Sequence, residues 1–155
     1  MGRTKERYVF KYDRLLLTAI KTATPVGVHF INETNPQTLK IIGDQGYELS
    51  AEYGDDLIII FKHSVVKIDF GKIRTHDVVA GVLGRNEYDA EPVLDAVIEK
   101  MGSVAVTLIG GEQINANLAA KDKYFITLVD ADECVVSVNK AQISRINVGP
   151  KKEVF

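Results

Sequence analysis

The sequence predicts a mainly β protein built from two similar units. Each unit is a short N-terminal helix followed by five strands in a strongly bent antiparallel sheet or barrel. The chain repeats itself at a constant offset of 78 positions, which carries the apolar run 26–31 onto 104–109. Without a gap, the same offset carries Asp44 onto Asp122, Lys62 onto Lys140 and Ile68 onto Ile146. Because apolar runs and polar turn residues recur in one order, a tandem pair of small domains is the economical interpretation.

The first unit is predicted at 15–70, after a basic arm at 1–14. Leu15, Leu16 and Ala19 recur at helical spacing, and Pro25 ends the helix because proline disfavours helical geometry in the residue before it. Short apolar runs bounded by Gly, Asn and Asp then predict strands. These strands are expected at 26–31, 39–42, 47–53, 57–61 and 64–68.

The second unit is predicted at 92–148, after a connection at 71–91 and before a tail at 149–155. Pro92 is placed to open its helix, since proline is favoured in a first turn. Gly110 and Gly111 predict a tight hairpin turn. The strands are expected at 104–109, 114–120, 124–129, 134–138 and 143–148.

Composition indicates a soluble, cytoplasmic protein. The 155 residues are 46% hydrophobic and 26% charged, and no run reaches the length of a membrane span. The polar start of the chain does not resemble a secretory signal. The single cysteine, Cys134, excludes an intrachain disulfide and is expected to be a buried structural thiol. The net charge of −2 means that any binding of nucleic acid depends on a local patch.

The sequence gives no sign of an enzyme. It contains no glycine-rich phosphate loop before a helix and no recognisable Ser/His/Asp set. His29, His63 and His76 are far apart in sequence, and with one cysteine they offer no ligand spacing for zinc. We therefore expect no catalytic residues, no metal and no cofactor.

Several short motifs resemble the Sm-like family, and in particular its bacterial form, Hfq. Residues 16–32 (LLTAIKTATPVGVHFIN) are similar to the family's helix, connection and first strand, and 60–66 (IFKHSVV) to its aromatic-Lys-His motif. Asp44 and Gln45 are similar to the start of its Asp-Gln-Phe bend. In the second unit, 104–124 matches the first three strands, and Lys140 occupies the basic position.

The resemblance implies a ring. In Sm-like proteins the fourth strand of one unit pairs with the fifth strand of the next, so an open sheet edge is covered by another subunit. Three tandem chains would give a closed six-unit ring with alternating copies. Two stacked rings, each built from one kind of copy, are the competing geometry.

The resemblance also implies a site for single-stranded, uridine-rich RNA. The residues that it assigns are Gln45, Tyr47, Lys62 and His63 in the first unit, Lys123, Tyr124 and Lys140 in the second, and His29 on a possible second face. In such a site lysine neutralises phosphate, histidine and glutamine bond base edges, and an aromatic ring stacks on a base. Asp44 and Asp122 are expected to be structural, bonding backbone N–H groups at the bends.

Two departures from the family's pattern affect this site. Ala141 stands where the family has histidine, and Gly46 stands at the family's aromatic position, with Tyr47 next to it. The function predicted is that of an RNA chaperone or post-transcriptional regulator. A ring or barrel scaffold for protein contacts without RNA binding is the alternative, and a small-ligand β-barrel is a third possibility.

Overall fold

The structure is a computed structural model that describes residues 12–72 and 91–154. Residues 1–11 of the predicted arm and 73–90 of the predicted connection lie outside the described residues. The described helices are α1 (Tyr12–Thr22), α2 (Pro92–Lys100) and α3 (Lys151–Val154). The strands are β1 (Val26–Phe30), β2 (Gln37–Gln45), β3 (Glu48–Tyr53), β4 (Asp56–Phe61), β5 (Val65–Lys72), β6 (Ser103–Leu108), β7 (Gln113–Lys121), β8 (Phe125–Val129), β9 (Cys134–Asn139) and β10 (Ile143–Asn147).

Helices α1 and α2 end in the same way. Ala23 and Met101, 78 positions apart, both adopt left-handed backbone with φ of 56° and 49°. The next residue then closes the helix, because Thr24 N donates to Ala19 O and Gly102 N donates to Val97 O. Pro92 lies in the first turn of α2, as predicted. The N-terminal helix of each predicted unit is therefore confirmed.

The ten strands form one antiparallel sheet in the order β10-β6-β7-β8-β9-β5-β1-β2-β3-β4. The mainly β prediction is confirmed. We call α1 with β1–β5 the first half and α2 with β6–β10 the second half. Within each half the strands lie in the same order: fifth, first, second, third, fourth. The halves join where β9, the fourth strand of the second half, pairs with β5, the fifth strand of the first. The sheet does not close, and β4 and β10 are its edges.

The two halves match at an offset of 78 positions except in their second and third strands. Lys62 N donates to Tyr47 O, and the matching bond runs from Lys140 N to Tyr124 O, so Tyr47 corresponds to Tyr124 and the offset there is 77. Asp44, paired with Leu49, therefore corresponds to Lys121, paired with Ile126. The ungapped alignment of Asp44 with Asp122 is wrong. The turns before the second strand and before the fourth strand differ in length between the two halves. The first difference changes the offset between the halves from 78 to 77, and the second restores it to 78.

The cores of the two halves meet at the junction of β5 and β9. Leu15 of α1 and Val135 of β9 belong to one buried apolar cluster, and Tyr12 and Leu16 share another with Phe125 of β8. Helix α1 therefore covers apolar side chains of both halves. The second core lies under α2 and is completed by Val154 of α3. The sequence-based interpretation left α3 in the tail, and Cys134 is half-buried where full burial was expected.

Candidate nucleic-acid interface

An exposed aromatic group lies at the corner between β4 and β5. There the chain makes a 3₁₀ turn at Lys62–Ser64, which Ser64 Oγ stabilises by donating to Phe61 O at 2.7 Å. The His63 ring lies 5.6 Å from the Tyr47 ring and 6.2 Å from the Phe61 ring, both in stacked orientation. Tyr47 Oη and His63 Nδ1 also share a hydrogen bond of 2.7 Å. Because all three rings are exposed, they offer flat π surfaces to a ligand.

The structure shows which residue of the first half, Gly46 or Tyr47, corresponds to Tyr124 of the second half. The carbonyl of Tyr47 accepts a hydrogen bond from Lys62 N at 3.0 Å, as that of Tyr124 does from Lys140 N at 2.8 Å. Tyr47, and not Gly46, is therefore the counterpart of Tyr124. Both β2 and β7 carry an irregularity in register at matching places, after Ile41 and after Leu118. That extra residue in each strand keeps the tyrosines equivalent.

Lys62 lies beside the aromatic group but points inward. Its side chain is 6% exposed, and its Nζ lies 2.9 Å from Asp44 Oδ1. The same ammonium lies 5.2 Å from the centroid of the Tyr12 ring and 5.9 Å from that of Tyr124. The charge of Lys62 is thus already paired, and the expectation that Asp44 bonds backbone N–H groups gives way to this ion pair. Contact of Lys62 with RNA phosphate stays a prediction.

The second half presents a lysine and a tyrosine at the matching corner. Lys123 and Tyr124 are exposed, with Lys123 Nζ 5.3 Å from the ring centroid. Asp122 Oδ1 accepts hydrogen bonds from Tyr124 N at 3.0 Å and from Phe125 N at 2.8 Å, which confirms its structural role. Burial raises the pKa of this carboxyl, although the two backbone donors oppose the shift.

Lys140 and Gln45 are the remaining predicted residues of the two corners. Lys140 Nζ lies 3.4 Å from Glu91 Oε1, which also contacts Lys121 Nζ at 2.7 Å. The side chain of Lys140 remains 24% exposed. Gln45 is exposed, and its Oε1 accepts a hydrogen bond from Ser50 Oγ at 3.1 Å.

His29 lies in a different environment. It pairs across the sheet with Lys67, whose Nζ reaches Glu112 Oε2 of the second half at 2.6 Å. Burial lowers the pKa of His29, and the neighbouring Lys67 lowers it further, although Asp69 and Glu112 oppose the shift. Binding of RNA at this second face stays a prediction.

The acidic turns lie away from the aromatic group. Asp55 precedes β4 and Lys62 follows it, so the six residues of β4 separate them. At about 3.3 Å per residue this places the turn roughly 20 Å from the corner. The turn at Asp130–Glu133 likewise precedes β9, whereas Lys140 follows it. Repulsion of phosphate by these carboxylates is therefore weak at the corners.

Phe61 and Asn139 occupy matching places at the ends of β4 and β9. Sequence reasoning included Phe61 in the aromatic-Lys-His motif without assigning it to the site, and it missed Asn139. Asn139 is 5% exposed, and its Nδ2 donates to Lys62 O at 3.0 Å and to Val65 O at 2.9 Å. Asn139 of the second half thus stabilises the Lys62–Ser64 turn of the first half. An asparagine at the end of an apolar strand was the available signal.

Three negative findings complete the description. Within residues 12–72 and 91–154, no three His, Cys, Asp or Glu side chains are grouped so that they could hold a metal ion. None of the helices in these ranges is both long and apolar enough to cross a membrane. No protein-family model matches the chain, and a search of curated proteins finds no relative.

Proposed function

We propose that this is a cytoplasmic Sm-like protein of the Hfq type, which binds single-stranded, uridine-rich RNA on a ring-shaped homo-oligomer. The observation that carries the RNA-binding part is the exposed stack of Tyr47 and His63. Bases stack on aromatic rings with about 1–3 kcal/mol each, and the His63 ring also offers a hydrogen-bonding nitrogen. Lys123, which is exposed beside Tyr124, supplies positive charge for phosphate.

The topology supports the ring. Each half has its strands in the same order, and the fourth strand of the second half pairs with the fifth strand of the first. That pairing is the one that the Sm-like resemblance implies between neighbouring units. The edge strands β4 and β10 are again a fourth and a fifth strand, so the same pairing can continue from chain to chain.

Binding of a short fluorescent oligouridine, followed by anisotropy, tests the RNA-binding part. The affinity should fall as salt is added, with a log–log slope of about −0.7 for each neutralised phosphate. Tyr47→Ala should weaken binding about tenfold, in line with the loss of one stacking contact. Tyr53→Ala, an equally exposed tyrosine at the far end of β3, is the matched control and should bind as the parent does.

The scaffold alternative is favoured by two observations. The charge of Lys62 is paired with Asp44, and the open strand β4 exposes Leu57, Ile59 and Phe61. If the protein binds no oligouridine at low salt, a scaffold for protein contacts replaces the RNA-binding proposal. If Tyr53→Ala weakens binding as much as Tyr47→Ala does, the aromatic group at the corner is not the RNA site.

A further inference from the structure

A groove in the first half lies between helix α1 and the strands β1 and β5. Its floor is apolar and is formed by Leu15, Ala19, Val26 and Phe70. The first three of these residues are buried, and Phe70 is half-buried. The space in the groove, together with the part that is open to solvent, is about 440 Å³. A volume of this size is typical of sites for small molecules.

The floor of the groove reaches the junction of the two halves. Leu15 belongs to the same buried apolar cluster as Ala119, Ala120 and Val135 of the second half. Phe70 of β5 packs against that cluster. A ligand that rests on Leu15 and Phe70 therefore contacts residues of the junction, and its binding should raise the stability of the folded chain.

Three threonines form one side of the rim, and their hydroxyl hydrogens are all in use. Thr18 Oγ1 donates to Arg14 O at 3.0 Å, and Thr22 Oγ1 donates to Thr18 O at 2.8 Å. The hydroxyl oxygens of Thr22 and Thr24 lie 2.7 Å apart. Because the hydrogen of Thr22 is already donated, Thr24 is the donor in this pair. Thr18 and Thr24 therefore offer only lone pairs to a ligand.

The end of α1 gives the same side of the groove a negative partial charge. Thr22 is the last residue of the helix, and Thr24 follows it closely in the chain. The C-terminal end of a helix carries the negative end of the helix dipole, which favours cations there. The lone pairs and the dipole together favour a ligand group that donates hydrogen bonds and is positively charged, such as an ammonium.

Lys72 gives the rim a positive charge. It is the last residue of β5, it is exposed, and it lines the groove. None of the ion pairs in the described part of the chain includes Lys72. Its ammonium can therefore pair with an anionic group of a ligand, and a carboxylate forms a strong, charge-assisted hydrogen bond with an ammonium.

We propose that this groove binds a free aliphatic α-amino acid of the size of leucine. The branched side chain lies on the apolar floor, the ammonium faces the oxygens of Thr18 and Thr24, and the carboxylate faces Lys72. An α-amino acid carries both charged groups on one carbon, whereas a fatty acid has no ammonium for the threonines and an amine has no carboxylate for Lys72. The site is separate from RNA binding. Tyr12, which lies near Lys62, and Thr22 are the two ends of α1, roughly 15 Å apart.

Saturation-transfer NMR, which observes the ligand, tests the recognition, because it detects the weak binding that so small a ligand gives. Leucine should give a saturable signal. Three analogues each remove one element of leucine: isocaproate lacks the ammonium, isoamylamine lacks the carboxylate, and alanine lacks the branched chain. Each analogue should bind at least about tenfold more weakly than leucine, because each loses one set of contacts. The absence of a leucine signal, or an analogue that binds as well as leucine, overturns the proposal.

Variants of the rim test the location of the site. Lys72→Met and Thr24→Val should each weaken leucine binding about tenfold, since each removes one polar partner of the ligand. Lys151→Met, which replaces an exposed lysine on α3, is the matched control and should bind leucine as the parent does. Leucine should also raise the Tm of the parent and of the control, but not that of Lys72→Met. A leucine signal unchanged by Lys72→Met, or an equal loss in Lys151→Met, overturns the site.

Discussion

The ammonium of Lys62 lies 2.9 Å from the carboxylate of Asp44, and the lysine side chain is only 6% exposed. This pair links the turn after β4 to the end of β2. It also explains why a Lys-His sequence that looks like a phosphate site has its lysine turned away from solvent. The exposed member is His63, which stacks on Tyr47.

Asp44→Ala should lower the free energy of unfolding by about 2 kcal/mol, because it leaves a buried ammonium without its partner. The double variant Asp44→Asn with Lys62→Met should recover part of this loss, since it removes the charge as well. Urea unfolding followed by circular dichroism measures both. Asp55→Ala in the exposed turn is the control and should change stability by less than about 0.5 kcal/mol. Equal losses for Asp44→Ala and Asp55→Ala would show that the pair adds no stability.

Asn139→Ala should destabilise the protein by about 2–3 kcal/mol. The amide of Asn139 donates to Lys62 O and to Val65 O, and its loss leaves two carbonyls at the internal junction without these bonds. Asn117→Ala, an exposed asparagine on β7, should have little effect. Hydrogen exchange gives a local readout: protection should fall first for the amides that link β5 to β9. A loss of protection spread evenly over the whole sheet would contradict this role.

The stability of Asp122→Asn relative to the parent should increase as pH rises. Asp122→Ala should lower the free energy of unfolding by about 1–2 kcal/mol, because both hydrogen bonds to backbone N–H groups are lost. Burial raises the pKa of Asp122, so the folded state holds this proton more tightly than the unfolded state. The corresponding stability is present at acid pH and is lost as pH rises through the raised pKa. The neutral amide removes that loss. Unfolding measured from acid to neutral pH should show the Asn variant gaining relative to the parent, and a constant difference would refute the assignment.

Tyr12→Phe should leave the protein as stable as the parent or stabilise it by about 1 kcal/mol. Within the described residues the buried hydroxyl of Tyr12 has no hydrogen-bond partner, so removing it costs no bond. Its burial also raises the pKa of the phenol. The ring should stay stacked on Phe125, with centroids 4.1 Å apart. Tyr12→Ala, which removes the stack, should cost about 3 kcal/mol in thermal unfolding. A destabilised Phe variant would reveal a bond to the hydroxyl.

Much of the fold could be predicted from the sequence because its signals are local. The spacing of Leu15, Leu16 and Ala19, with Pro25 after them, was sufficient for α1. Alternating apolar runs and glycine or aspartate turns located the strands to within a few residues. The pairing of β5 with β9 was not deduced from periodicity, since alternation shows which face of a strand is apolar and not which strand lies beside it.

The sequence predicted that some residues of the candidate site lie together, but not how they are arranged. Residues 44–47 and 62–63 do meet at one corner. The ungapped alignment hid the one-residue slip, because two aspartates, Asp44 and Asp122, happened to fall 78 positions apart. It therefore gave Gly46 the aromatic position that Tyr47 holds. The residues next to Lys62 in sequence could not show that its side chain points inward, because a lysine is buried only where tertiary packing supplies a carboxylate.

The two halves belong to one chain and pair through β5 and β9, which fixes how halves can be counted in an assembly. Each chain contributes two five-stranded halves, so any closed assembly made by joining β4 to β10 contains an even number of halves. An odd number of halves is accessible to a protein with one half per chain, but here it would leave one half outside the circle with its edge uncovered. The number of halves in a closed assembly of this chain is thus restricted whatever the strength of the interface between chains.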